Sequence, residues 1–196
     1  MSQVTSSSSR SAAPVLIRVS AQPRLSLLPT LRAAIARARR EGGQVAVAAM
    51  PGAPEGAKHH VETALLALGL PADRLHAGDL PSVSRTSAAP PAEAALLDGL
   101  ALFPTADEVQ GWVAKLPADG RQAGEPKDPD SSPIFHAYAL LADPMRLETM
   151  RLRYHGGISW EDARMALVQI ILRATAEPAR RQADLAAAAS PLKTAV

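Results

Sequence analysis

The sequence predicts an α/β unit followed by an all-α region. Two short runs rich in branched apolar residues, separated by an apolar stripe at helical spacing, occupy the first part of the chain. From residue 97 onward the periodic segments have helical spacing alone, and several follow a residue that caps helices. At 196 residues the chain has the size of one ordinary domain, or of two small domains that share a core.

The α/β unit is expected over residues 14–80. A strand at residues 15–20 (VLIRVS) comes first, and a second buried strand lies at residues 44–50 (QVAVAAM). Between them a helix starts near Pro29, ends at Gly42 and carries an apolar stripe made of Leu28, Leu31, Ile35 and Ala38. Strand, helix and strand within about 35 residues are typical of a βαβ unit, which implies parallel strands and a right-handed crossover.

The rest of this half contains a helix at residues 57–70 and a short third strand at residues 74–77. Residues 81–96 are rich in proline, serine and alanine and are predicted to form a linker. The serine-rich residues 1–13 are predicted to be a disordered tail, because they cannot bury enough apolar surface to offset the entropy of ordering.

The helical region is expected over residues 97–176, followed by an alanine-rich helical extension and tail over residues 177–196. Capping side chains precede three of its helices: Thr105, which forms a capping box with Glu108, Asp143 and Ser159. The later helices are predicted at residues 133–141, 144–154 and 160–173. Apolar residues on two sides of the last of these imply burial between neighbours.

Composition excludes several classes of protein. The absence of cysteine excludes disulfides, thiolate metal sites and a cysteine nucleophile. A net charge of +2 is too small to indicate nucleic-acid binding by itself. No apolar run approaches the roughly 20 residues that span a bilayer, and Arg18 interrupts the first apolar stretch too early for a signal peptide. We therefore expect a soluble, cytoplasmic protein without a membrane partner.

Residues 124–171 (GEPKDPDSSPIFHAYALLADPMRLETMRLRYHGGISWEDARMALVQII) resemble the C-terminal part of bacterial tryptophanyl-tRNA synthetases. The run VLIRVSAQPRLSLLPTLRAAI is similar to the first strand, signature turn and first helix of their catalytic domain. Leu97-Asp98-Gly99 resembles the segment just ahead of their lysine signature. The resemblance implies a reduced Rossmann-like unit, a helical anticodon-binding-like domain, and an ancestry in ATP-dependent tryptophan–tRNA ligases.

Both ATP signatures of that family are missing. In place of its His-x-Gly-His/Asn turn the chain has Arg24, Leu25, Ser26 and Leu27, with no imidazole and with leucines where the ligand would lie close. In place of Lys-Met-Ser-Lys-Ser the chain passes to Leu100-Ala101-Leu102-Phe103, and the family's tryptophan pocket has no counterpart between about residues 83 and 97. Because losing one such donor costs about 10²–10³ in rate, we expect no catalytic residues and no cofactor, with ATP used only if the activity survives.

Arginines supply the candidate binding residues. Arg146, Arg151 and Arg153 flank an apolar helix face in the region where, by the resemblance, the family contacts the tRNA anticodon arm, and Arg37 and Arg40 lie opposite the apolar stripe of the first helix. The alternative is that these are solvated side chains whose stems cover the core edge. Three hypotheses remain open: a tRNA- or protein-binding module, a ligase completed by a partner chain, and a structural module that pairs with itself or with a full-length synthetase.

Two other polar clusters are interpreted structurally. His59 and His60 are adjacent on a helix and point about 100° apart, so with Glu62 alone they are expected to form a solvated edge and no metal site. Lys127, beside Asp128, is interpreted as part of a polar turn within the loop at residues 117–131.

Overall fold

A computed structural model of the chain describes residues 14–19, 21–76 and 92–189. The predicted tail at residues 1–13, most of the predicted linker, and the C-terminal residues from 190 onward lie outside the described residues.

Among the described residues, three parallel strands in the order β1-β2-β3 form the sheet, and their bounds are Val15–Val19, Val45–Ala49 and Leu75–His76. The helix α1 (Leu28–Glu41) crosses from β1 to β2, and α2 (Ala57–Ala67) crosses from β2 to β3. The strands of the described region read as nearly continuous apolar runs because helices and loops cover the sheet. The predicted α/β unit with parallel strands is confirmed.

Arginine side chains complete the helix ends of this unit. At the end of α1, Gly42 adopts a left-handed conformation with φ of 71°, and Arg74 Nη1 donates to Ala38 O over 3.0 Å. At the end of α2, Arg39 Nη2 donates to Gly69 O over 2.7 Å. Ala38 O is among the last carbonyls of α1, which have no partner within the helix. Gly69 O lies in the turn just after α2, so both guanidinium groups satisfy acceptors that would otherwise depend on water.

Four α-helices make up the described part of the helical half. Their bounds are Ala106–Ala114 (α3), Pro133–Ala139 (α4), Pro144–His155 (α5) and Trp160–Ala189 (α6). All three predicted caps are present: Thr105 accepts from Glu108 N in a full capping box, Asp143 accepts from Arg146 N, and Ser159 accepts from Asp162 N. Ser132 adds a further cap, because its hydroxyl accepts from Phe135 N at the start of α4.

Helix α6 differs from the sequence expectation. It does not end at residue 173 but runs through Pro178 to Ala189, a total length of 30 residues. It therefore includes most of the predicted extension. A proline inside a helix removes one hydrogen bond and normally ends or kinks the helix. The packing of α6 against α2 provides the tertiary contacts that keep this segment helical.

The linker prediction also needs correction at its C-terminal end. Ala92–Leu97 forms a short 3-10 helix, in which Ala94 and Leu97 are fully buried. Gly99, two residues further on, approaches the indole of Trp112 so closely that an added Cβ would lie 2.6 Å from its Nε1. This segment is therefore part of the packed fold, because Ala92–Leu97 packs against α4 and against the turn at Leu25–Leu27.

One hydrophobic core joins the two halves of the chain. Buried residues from all the named helices and from β1 and β2 belong to a single cluster, and α6 packs against α2, α3 and α4. The helical region is thus built onto the α/β unit through α6. Within the described residues no helix is both long enough and apolar enough to cross a membrane.

Candidate functional site

The cleft between α5 and α6, here named the arginine cleft, carries three guanidinium groups: Arg146, Arg153 and Arg173. Its volume is about 280 Å³. The cleft exists because each helix presents one face to it, with positions 146, 149, 150 and 153 on α5 and positions 166, 169, 170 and 173 on α6. Both sets follow the i, i+3, i+4, i+7 spacing of a single helix face.

The arginines of the cleft differ in how they are paired. Arg146 Nη1 lies 2.8 Å from Asp143 Oδ2 in an ion pair. The side chains of Arg153 and Arg173 form no ion pair and donate no hydrogen bond within the described residues. Burial raises the pKa of the Tyr138 phenol at the edge of the cleft, and the positive charges of all three arginines act in the opposite direction. The cleft is therefore a locally positive site with two uncommitted guanidinium groups.

A buried lysine holds the chain segment that precedes α4 against the start of α6. Lys127 is only 1% exposed, and its Nζ donates to Gln122 O over 2.7 Å and to Glu125 O over 3.1 Å. The same ammonium lies 5.4 Å from the centre of the Trp160 ring, and Lys127 N donates to Tyr154 O over 2.8 Å. Lys127 does take part in a turn, because its Nζ bonds two carbonyls of the same loop, but its burial against Trp160 on another helix was not expected from the sequence.

Two glycines make this arrangement possible. Gly124 N donates to Gly157 O over 2.8 Å, so the loop lies directly on the turn between α5 and α6. Gly157 has a φ of 83°, and a Cβ at this position would lie 2.4 Å from the backbone carbon of Gly124. Only glycine fits both the conformation and the contact. We name the contacts of Gly124, Lys127, Gly157 and Trp160 the lysine clasp; it fixes the turn that sets α5 against α6.

Aromatic packing strengthens the same region. Tyr154 is almost fully buried, and its ring packs edge-on against Phe135 at 5.2 Å and against Trp160 at 6.0 Å between centroids. Its hydroxyl lies 3.1 Å from Ser132 Oγ, and burial raises the pKa of this phenol while the Ser132 hydrogen bond acts in the opposite direction. The resemblance noted for residues 124–171 thus coincides with the parts that build and support the arginine cleft.

The structure separates the arginines that the sequence grouped. Arg146 and Arg153 line the cleft, whereas Arg151 pairs with Asp130 over 3.1 Å and lies 5.1 Å from the centre of the Phe135 ring. Arg37 forms an ion pair with Glu41 over 2.9 Å, and Arg40 is exposed on the same helix, so neither belongs to the cleft. The sequence interpretation missed Arg173. Its spacing of i+7 from Ala166 places both residues on the same face of α6.

The position expected for the first ATP signature is occupied by protein contacts. Leu25–Leu27 forms a 3-10 turn, in which Leu25 N donates to Leu100 O over 3.0 Å. Arg24 pairs with Ala101 in an isolated antiparallel bridge. The two segments that would carry the family's two signatures are thus bonded to each other. Leu25 is fully buried and does not project into a ligand space, which corrects that part of the expectation.

A second cavity of about 570 Å³ lies beside this turn. Gln22 and Arg24 line one side, His60 lines another, and α6 closes it with a row of alanines and Gln182. His60 Nε2 lies 3.4 Å from Gln182 Nε2, and burial together with the neighbouring charge of His59 lowers the pKa of His60. The lining contains one arginine and one histidine, and no lysine.

The histidine pair at residues 59 and 60 lies on an exposed edge of α2. Glu62 forms an ion pair with Lys58, with 3.7 Å between the charged atoms. Within the described part of the chain, no group of three or more histidine, aspartate or glutamate side chains is placed to hold a metal ion.

Comparisons with known proteins relate the chain to one class of enzyme. No protein-family model matches it. The tryptophan–tRNA ligase of Pseudomonas aeruginosa is 33% identical over 70 residues, which are 36% of this chain and 16% of the ligase. The corresponding ligase of Xanthomonas campestris is 33% identical over 103 residues, or 47% of this chain and 24% of that protein. The matched segments therefore span a quarter or less of these relatives.

Among solved structures, the tryptophanyl-tRNA synthetase of Campylobacter jejuni is similar in fold. The superposition has a TM-score of 0.65, covers 93% of this chain and 91% of that chain, and involves 12% sequence identity. At this identity the likeness shows the fold alone. The predicted fold class and the resemblance to tryptophanyl-tRNA synthetases are both confirmed.

Proposed function

We propose that this chain is a tRNA-binding relative of tryptophanyl-tRNA synthetases that does not activate tryptophan, and that it works in the cytoplasm as a binding module. The main observation in support is the arginine cleft, which has two unpaired guanidinium groups and lies in a region that resembles the C-terminal part of those synthetases.

The loss of amino-acid activation is inferred from the signature positions. Ser26 and its neighbours provide no imidazole, and the 97–103 segment provides no lysine. Leu25 and Arg24 bind Leu100 and Ala101 through the backbone, which favours a closed turn over a phosphate-binding one. Electrostatic stabilisation of a developing charge is usually the largest single contribution to catalysis, so losing both sets of donors argues against activity.

Binding to tRNA is favoured over a protein partner by the charge of the cleft. Guanidinium groups without an internal partner suit phosphate, because their planar donors match its oxygens in pairs. Three arginines around one small hollow concentrate positive charge there, which attracts an anionic ligand more strongly than an uncharged surface. No ATP is required for such binding.

Two measurements test the proposal. Tryptophan-dependent exchange of pyrophosphate into ATP should stay at background for this chain alone. Adding the chain to a full-length synthetase should not raise the exchange above that of the synthetase alone. Exchange by the chain alone, or an increase over the synthetase alone, contradicts the inactive assignment. Filter binding of tRNA at a low and a high salt concentration should show retention that weakens steeply with salt, because phosphate contacts release counterions. Absence of retention at either salt concentration favours a protein-interaction role instead.

A further inference from the structure

We propose that the second cavity, beside the Leu25–Leu27 turn, binds a small organic acid that has one carboxylate, an apolar body and a hydrogen-bond donor, and no ammonium group. We name this cavity the turn cavity; its polar lining consists of Gln22, Arg24, His60 and Gln182. It is separate from the arginine cleft, so the inference goes beyond the proposed tRNA binding and does not depend on it.

The turn cavity has room for a small molecule because α6 places only small side chains along one wall of it. Ala179, Ala183 and Ala186 follow the i, i+4, i+7 spacing of a single helix face. The volume of about 570 Å³ lies within the range of about 300–1,000 Å³ that is usual for small-molecule sites. Leu102 and the ring of Phe103 add apolar surface from another segment, so the lining suits a ring or a short alkyl body.

One side chain supplies the positive charge of the turn cavity. The Arg24 guanidinium lines it, is exposed, and forms no ion pair or hydrogen bond in the part of the chain that the structure describes. His60 is neutral at neutral pH, because burial and the charge of His59 lower its pKa from the ordinary value of 6.5. A single guanidinium matches the two oxygens of one carboxylate, whereas a chain of phosphates carries several negative charges. The turn cavity therefore favours a monoanion.

An acceptor without a donor indicates what else the ligand carries. Gln182 Nε2 lies 3.4 Å from His60 Nε2, and it donates to this ring nitrogen when the imidazole is neutral. Oε1 of the same amide is buried and has no hydrogen-bond partner among the described residues. Because a buried acceptor without a donor is unfavourable, a ligand that brings a hydroxyl or an N–H group to Gln182 gains affinity.

The acidic side chains that an ammonium group needs are missing from this lining. The described residues that line the turn cavity include no aspartate and no glutamate. An ammonium group in the cavity would lie near the like charge of Arg24, with no carboxylate to offset it. Free amino acids, tryptophan included, are therefore expected to bind more weakly than an acid of the same shape that lacks the amine.

The test uses para-hydroxyphenylpropionate as the probe, because this compound has one carboxylate, a ring and a phenol donor. Tyrosine is the same molecule with an added ammonium group. Phenylpropionate lacks the donor, and para-hydroxyphenylpropionamide lacks the negative charge. Binding of each compound to the full chain is followed by protein NMR titration, with tryptophan as a further competitor.

Four variants locate the site. Ala183→Leu fills the turn cavity without changing its charge. Ala187→Leu is the matched control, since Ala187 is exposed on the same helix and does not line the cavity. Arg24→Gln removes the guanidinium at an exposed position, where loss of folding is not expected, and Gln182→Leu removes the unsatisfied acceptor.

The wild-type protein and Ala187→Leu should bind the probe equally, and Ala183→Leu should not bind it. Arg24→Gln should weaken binding by about tenfold or more, because a charge-assisted hydrogen bond is lost. Gln182→Leu should weaken the probe to the level of phenylpropionate and leave phenylpropionate itself unchanged. Tyrosine and the uncharged amide should each bind the wild type about tenfold more weakly than the probe.

Three results overturn the inference: no binding of the probe by the wild type, unchanged binding in Ala183→Leu, or tighter binding of tyrosine or tryptophan than of the probe. None of them bears on tRNA binding, which filter binding measures separately. Failure of this site and failure of the proposed function are therefore distinguishable.

Discussion

Arg32 on α1 donates a hydrogen bond from Nη2 to the carbonyl oxygen of Ala174 on α6, over 3.2 Å. In a regular helix that carbonyl accepts from the N–H of residue 178, but residue 178 is a proline and has none. The guanidinium from the α/β half therefore supplies the donor that the helix lacks. This contact links the two halves of the protein at the point where α6 passes through its proline.

Arg32→Ala should lower the free energy of unfolding by about 1–2 kcal/mol, because a charge-assisted hydrogen bond is lost and a carbonyl is left without its partner. In a Pro178→Ala background, Arg32→Ala should lower the free energy of unfolding by less than half as much. The alanine at position 178 has a backbone N–H that can donate to Ala174 O. Urea denaturation of the four proteins gives this double-mutant cycle. Equal costs in the two backgrounds would mean that Arg32 does not replace the missing donor.

Lys127→Met should destabilise the fold by about 2–3 kcal/mol, because the buried ammonium donates to two carbonyls and lies over the Trp160 ring. Lys115→Met is the control, since Lys115 is exposed and a substitution there should change stability by less than about 0.5 kcal/mol. Thermal unfolding monitored by circular dichroism compares them. Equal effects of the two substitutions are inconsistent with the lysine clasp.

Gly157→Ala should destabilise the protein by about 3 kcal/mol or more, because it combines a positive φ with a clash against the backbone of Gly124. Gly111→Ala is expected to have the opposite effect on stability. Gly111 lies inside α3, and a Cβ there has no neighbour within 4 Å, so alanine should stabilise by about 0.5–1 kcal/mol. Chemical denaturation gives the free energy of unfolding of both variants. A Gly157→Ala protein as stable as the wild type would contradict the close approach to Gly124.

The stability of the protein should depend on pH through His60. Burial and the charge of His59 lower the pKa of His60 below the value of 6.5 that is typical of a free side chain, so the unfolded chain binds this proton more readily than the folded one. The free energy of unfolding should then fall as the pH drops through 6.5. The titration of His60 by NMR reports the pKa directly.

His60→Gln is the control for that prediction, because glutamine keeps a polar contact near Gln182 and does not titrate. The variant should lose part of the fall in stability on acidification. An unchanged pH dependence in His60→Gln, or a His60 titration above 6.5, contradicts the assignment.

Local patterns in the sequence predicted the α/β unit and the helix starts well, because βαβ spacing and capping residues act over a few positions. The course of α6 was not predictable in this way. Pro178 signals a helix end locally, whereas Arg32, which bonds Ala174, is 142 residues away in sequence. Propensity rules do not include a donor supplied by another part of the fold.

The candidate site was partly predictable. Arg146 and Arg153 were identified from their helix. Arg151 lies on the same helix and was grouped with them, but in the folded protein it is paired with Asp130. Arg173 was missed because it lies on a different helix, and only packing brings it to the cleft. For the same reason the burial of Lys127 was not expected: nothing in a polar loop indicates that Trp160, on a different helix, will cover its ammonium.

The most direct test of the account is the salt dependence of tRNA binding by the wild-type protein and by a variant with Arg153→Gln and Arg173→Gln. The wild type should bind at low salt, and the double variant should have a logarithmic salt slope that is smaller by about 2, one for each lost phosphate contact. Arg180→Gln, an exposed position on α6 outside the cleft, should keep the wild-type slope. Wild-type protein that binds no tRNA at low salt, or a double variant with an unchanged slope, would contradict the account.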